Sequence, residues 1–199
     1  MNSLKNIAHS LRSSIAGLII LASSGVAFAD SVEPLVDDFN DAQNNSLGLP
    51  RQFMNDTMAG GQTSTEQTVK DGVFTAKGEI VPPRGQPGWA SSILLLDPAG
   101  APVDASAYEG IRLRLRINKG MISVSANSTE ITNFDYHAAI VTRKPGDDFQ
   151  EVKIPFDSMK RAWSEQTPLN AATLNSISIV AVAMQKDTFE FELDEVSFY

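Results

Sequence analysis

The run Gly110-Ile-Arg-Leu-Arg-Leu-Arg-Ile117 restricts the fold more than any other stretch of the chain. Ile111, Leu113, Leu115 and Ile117 fall on one parity, and Arg112, Arg114 and Arg116 on the other. A period of two held this long describes a strand with one dry face and one wet face. Other stretches read as strands too: Leu35–Phe39, Trp89–Leu96, Ile122–Ala126, Asp135–Thr142, Gln150–Pro155, Ser176–Met184 and Thr188–Phe198. Gln67–Gly78 reads as a hairpin that turns at Asp71-Gly72. Turn-rich segments lie between, at Asn40–Pro50, Pro82–Gly88 and Asp97–Ala107. Asp157–Trp163 and Asn170–Asn175 are each expected to hold one helical turn, and no long amphipathic helix is visible. Short strands without alternating helices predict an all-β fold, an antiparallel β-sandwich of the jelly-roll kind.

The last strand changes parity. Phe189, Phe191 and Leu193 share one face, while Val196 and Phe198 share the other. One extra residue, a β-bulge at Asp194-Glu195, would return the second group to the inner face.

Met1–Ala29 follows a different logic. Lys5 and Arg12 precede a short apolar run, Ile15–Ala22, and Ala27-Phe28-Ala29 forms an A-x-A site. This is the pattern of a cleaved secretory signal, and the run is too short to span a membrane. The expectation is a secreted, periplasmic protein whose residues 30–199 form one domain without a membrane span. The 199-residue chain has no cysteine, so a core rather than disulfides must hold it. Its formal net charge is −8, and losing Lys5 and Arg12 would leave the remainder more acidic. Such a domain repels phosphate backbones, which argues against nucleic acid as a partner.

Against the regular strands, Asn55–Ser64 breaks the pattern. It places Asp56, a small apolar patch, Gly60-Gly61 and hydroxyls in one short stretch. Asp56, Gly60 and Gly61 could meet a ligand through carboxylate and backbone N–H groups. Alternatively, the glycines could form a tight crossing that side chains forbid.

Several segments, in order, carry a resemblance. They are Asp56-Thr57-Met58-Ala59-Gly60-Gly61-Gln62-Thr63, Gly88-Trp89-Ala90-Ser91, Tyr108–Arg114, Val152-Lys153-Ile154-Pro155-Phe156 and Phe191–Val196. With them the chain resembles the complex I intermediate-associated protein family over Leu35–Tyr199. Ala59 stands where that family usually has Met, Thr63 where it has Ser, and Phe53 where it has Trp. The resemblance implies a galactose-binding-like sandwich related to several carbohydrate-binding modules. The eponymous members assist assembly of respiratory complex I, but a fold does not fix a function. What is implied is a non-catalytic binding or assembly module.

Further candidates each have two readings. Arg112 and Arg114, with Arg116, could bind an acidic or hydroxylated ligand, or could pair with Glu151, Glu190 and Glu192. Trp89, Tyr136 and Trp163 could be sugar platforms or rim packing. Asp37, Asp38 and Asn40, with Asp194 and Glu195, could hold a structural Ca²⁺ of the sort galactose-binding-like modules often carry. They could equally be solvated edge acids. His137 is a ligand-binding candidate beside Tyr136. One histidine in the mature chain and no cysteine make no ordinary zinc site, and no G-x-S-x-G elbow is present. The protein is therefore expected not to be an enzyme and to need no cofactor beyond that calcium. The expected function is a secreted module that recognises a protein partner. Carbohydrate binding through Trp89 and the arginine face is the alternative, with a hydrolase using His137 third.

Overall fold

The computed structural model describes residues 32–144, 146 and 148–199. The expected signal segment lies outside them. The strands are β1 (Leu35–Asp37), β2 (Gln52–Asn55), β3 (Ser64–Lys70), β4 (Val73–Ile80), β5 (Gly88–Leu95), β6 (Gly110–Lys119), β7 (Met121–Ser128), β8 (His137–Val141), β9 (Gln150–Pro155), β10 (Leu174–Ala183) and β11 (Asp187–Phe198). They form two sheets. One has the order β3-β4-β11-β6-β9, with β1 also on β11; the other has the order β2-β5-β10-β7-β8. The pairings are antiparallel. The fold is the expected all-β antiparallel sandwich.

The alternating strand β6 sets the packing. Ile111, Leu113, Leu115 and Ile117 turn inward with Phe74, Phe189, Phe191 and Leu193. Across from them, Leu94, Ile122, Val124, Ile177 and Ile179 close the core from the second sheet. Each fully buried side chain of this size contributes roughly 1.5–3 kcal/mol. The parity change in β11 is resolved as expected. Leu193 faces Leu115 and Glu195 faces Arg114, so Asp194 is the extra residue of a bulge. Val196 and Phe198 thereby return to the core. At the β3–β4 hairpin, Asp71 (φ 53°) and Gly72 (φ 77°) both take the left-handed conformation that a two-residue turn demands.

Two features differ from expectation, and a third agrees with it. β2 is an additional strand, paired on β5 at the sheet edge. The turn expected over Asp157–Trp163 is confined to a 3-10 turn, Phe156–Ser158, because the N–H groups of residues 162–164 donate to the Asp135 carboxylate. The turn expected within Asn170–Asn175 is the 3-10 turn Ala171–Thr173. No described helix is long and apolar enough to cross a membrane.

A buried ion pair fastens the entry to the fold. The Arg51 guanidinium donates to both Asp37 oxygens, at 2.6 and 2.8 Å, and to the Asp41 carbonyl at 2.9 Å. Its Cζ lies 5.0 Å from the centre of the Phe39 ring, and the Phe39 N–H donates to Asp37. Burial pushes the Asp37 carboxyl above its ordinary range, against the pull of the Arg51 fork.

Candidate functional site

The Gly-Gly stretch is built around Asp56, which is 0% exposed. After the 3-10 turn Asp56–Ala59, Gly60 takes φ 87° and caps it. The chain then folds back so that Thr63 donates to Asp56 twice, from its N–H at 3.2 Å and its hydroxyl at 2.7 Å. The Trp89 N–H donates to the same carboxylate at 3.2 Å. Thr63 Oγ1 also accepts from the Val81 N–H. A β-carbon on Gly61 would lie 2.2 Å from Asp56 Oδ1, and one on Gly88 would lie 2.7 Å from Oδ2. Asp56, Gly60 and Gly61, expected as ligand groups, are therefore a clamp. The carboxylate is enclosed and both its oxygens are engaged within the chain, and the clamp fixes where β5 and Trp89 begin.

The outer face of the six-stranded sheet is a charge ladder. Arg112 pairs with Glu195 and Glu151, Arg114 with Asp194 at 2.6 Å, Arg116 with Glu192, and Lys77 with Glu66 at 3.2 Å. Arg114 and Arg116 also lie over the Phe149 ring, at 5.7 and 4.9 Å. Arg112 and Arg114, expected to line a ligand face, are thus turned to acids one strand away. The bulge that places Asp194 on this face supplies the partner for Arg114.

The metal candidates are also engaged elsewhere. Asp37 belongs to Arg51. Asp38 accepts from the Asn40 amide at 2.8 Å and from the Ser46 hydroxyl at 3.0 Å, and these bonds hold its carboxyl below the usual range despite burial. Asp194 faces Arg114. Among the described residues no three His, Asp or Glu side chains gather as metal ligands.

His137 opens β8 and is 2% exposed. Its Nε2 lies 2.6 Å from the Thr167 carbonyl, so that nitrogen carries the proton and donates. It acts as an internal tie rather than a surface ligand. Next to it, Asp135 organises two loops. Its carboxylate accepts from three successive N–H groups, Ala162, Trp163 and Ser164, at 2.8, 3.0 and 2.6 Å. Burial alone would push this carboxyl up, but the Ser164 hydroxyl and the three N–H groups outweigh it and hold the group below the usual range. Arg161 donates to the Asp135 carbonyl and to Asn133 Oδ1, and Asn133 donates to Ser164. These loops carry Phe134 (76% exposed, φ 62°) and Trp163 (70% exposed). Tyr136 meets Phe134 edge to face at 6.4 Å.

The outer face of the five-stranded sheet has a different character. Directly paired residues share a face. Ser178 pairs with Ile93 and Ser125, Ser176 with Leu95 and Asn127, Val180 with Ser91 and Ser123, and Val182 with Trp89 and Met121. Met54, Gln52, Ala138 and Ile140 extend the same face to its edges. None of these side chains is charged. Ser91, Ser125, Asn127, Ser176 and Ser178 form a buried floor, whereas Met54, Met121 and Ile140 are exposed and Trp89 is half-buried. Asn127 donates to Ser176 and Ser178, at 3.0 and 2.7 Å, and its Oδ1 has no partner. Tyr136, just before β8, shares the parity of Ala138 and Ile140. Trp89 and Tyr136 thus belong to this face and its rim, and not to the arginine face. The serines and Asn127 were missed because alternating hydroxyls read in sequence as an ordinary wet face.

No curated protein matches the chain in sequence. Solved structures share its fold. The family 11 carbohydrate-binding module of the cellulosomal cellulase Lic26A-Cel5E of Clostridium thermocellum has a TM-score of 0.58 at 16% identity, over 84% of this chain and 95% of that one. A family 11 module from Clostridium thermocellum in complex with a β-1,3-1,4-mixed-linked tetrasaccharide gives 0.57 at 16%, with the same coverage. An agarase, AgWH50C, gives 0.55 at 10%, over 84% of this chain and 24% of that one. These structures share the antiparallel β-sandwich fold with this chain at low sequence identity. The family model of complex I intermediate-associated protein 30 matches residues 39–194, with the Asp56 clamp, the Trp89 strand and β6 all inside the match, and the chain belongs to that family.

Proposed function

We propose that the protein is an exported, non-catalytic module that binds a carbohydrate on the outer face of the five-stranded sheet. The observation that carries this reading is the contrast between the two outer faces. One is covered by ion pairs. The other has a floor of serines and Asn127 between apolar and aromatic walls. A sugar ring needs both components, hydrogen-bond partners for its hydroxyls and an apolar surface for its C–H face. The unpartnered Asn127 Oδ1 is a buried acceptor that a ligand hydroxyl would satisfy. The tetrasaccharide in the family 11 module of the same fold supports the choice of ligand class. Export rests on the Met1–Ala29 pattern alone. The absence of chemistry rests on His137, which is buried and tied to a carbonyl.

The test is a glycan-array screen of the purified protein, with and without Ca²⁺, followed by titration of hits. The expected result is a specific hit, weakened at least tenfold by Trp89→Ala and by Asn127→Ala, with folding checked by circular dichroism. A folded protein with no hit overturns the reading.

A protein partner is the second reading, favoured by the exposure of Phe134 and Trp163 on loops that Asp135 holds in place. Exposed aromatics on fixed loops suit a protein interface. Under this reading, a periplasmic protein would be retained by the wild type and lost on Trp163→Ala, while the array stays blank.

A further inference from the structure

We propose that the cleft at the Trp89 end of the uncharged face is an anion subsite, and that the preferred ligand is an oligosaccharide carrying carboxylates. This rests on the carbohydrate reading above and extends it. Gly88 and Ala183 are paired where β5 begins and β10 ends. The segments beyond them, residues 81–86 and 184–186, border an open groove of about 440 Å³. Pro82, Pro83 and Met184 supply apolar walls, and Gln86 and Gln185 supply amides. Arg84 supplies positive charge, while Lys186 on the same border is paired with Glu79.

Arg84 differs from the arginines that carry an acid partner. Arg51, Arg112, Arg114 and Arg116 each hold an acid, and Lys186 holds Glu79 at 2.8 Å. Among the described residues, the Arg84 guanidinium and the Gln86 and Gln185 amides have no hydrogen-bond or ion-pair partner. Three unengaged polar side chains therefore border one cleft. The loop that carries two of them is stiffened. Prolines occupy positions 82, 83 and 87, the Gln86 N–H donates to the Pro83 carbonyl, and Gly85 takes φ 79°. Gly85 is the third residue of this turn, where such a φ requires glycine, and Arg84 sits beside it at the tip. The stiff turn fixes where the Arg84 backbone sits, and the planar fork of its guanidinium matches a carboxylate. The protein as a whole is acidic, so this attraction acts at contact range, inside the screening length of about 8 Å at physiological salt.

The experiment compares four probes by titration calorimetry on the purified protein: oligogalacturonate, its methyl ester, oligoalginate and a neutral mixed-linked β-glucan tetrasaccharide. Arg84→Gln is the variant, because the residue is exposed and outside every strand. The expected result is that an acidic oligomer binds at least tenfold tighter than its ester or the neutral probe. Arg84→Gln and 0.5 M NaCl should each remove that advantage and leave weak neutral binding intact. Neutral binding with no preference for the acid overturns the subsite and leaves the carbohydrate reading standing. Acid preference that survives Arg84→Gln overturns the assignment to this cleft. No binding of any probe, together with a blank array, overturns both.

Discussion

A methyl group on Gly61 has nowhere to go. Its position is 2.2 Å from Asp56 Oδ1, and Asp56 cannot retreat because Thr63 and Trp89 hold it. Gly61→Ala should therefore cost about 1–3 kcal/mol, read as a lowered midpoint of urea unfolding. An unchanged midpoint would remove the clamp. The Asp37–Arg51 pair predicts a larger effect. Arg51→Ala leaves a buried carboxylate without its fork, and about 3–5 kcal/mol of stability should be lost. The ladder arginines behave differently, since Arg114 is exposed and screened. Arg114→Ala should cost less than about 1 kcal/mol. A cost equal to that of Arg51→Ala would mean that the outer face is not wetted.

At the level of elements, the loop pair around Asp135 is sensitive to acid. The folded carboxyl lies below its ordinary range, so the stabilisation it provides is present above the unfolded pKa of about 3.9 and is lost as pH falls through the folded value. Below about pH 3.9 the Trp163 loop should loosen before the sandwich melts. In a Trp89→Phe background, Trp163 fluorescence anisotropy should fall ahead of the far-ultraviolet signal. Asp135→Asn should produce the same loosening at neutral pH, and coincident transitions would count against the loop acting as its own unit. This loop was not legible in the sequence, because three backbone N–H groups answering one carboxylate leave no motif. β2 was illegible for another reason: it is an edge strand of four residues, mostly exposed, with no alternation to read. By contrast β6, the Asp71-Gly72 turn and the Asp194 bulge were legible, since each is a local steric rule written in side-chain parity or in a residue that tolerates positive φ.

The whole molecule divides its charge between two faces, and binding should reflect that. If the uncharged face takes a neutral glycan, its affinity should change by less than twofold between 50 and 500 mM NaCl, as titration would show, because no ion pair is made or broken. The sequence carries the polar residues of this face in plain view, at 123, 125, 127, 176 and 178. Only pairing brings them onto one floor, and alternation cannot say which strands become neighbours.

The position of β11 has a consequence for how the chain is made. It is the last strand in chain order, yet it lies between β4 and β6 and also carries β1. The strand that joins the two halves of this sheet is therefore made after all of its partners. Until β11 is made, β4 and β6 have no shared neighbour and the six-stranded sheet cannot close. If the chain is exported as it is made, its leading strands cross before the sheet can close.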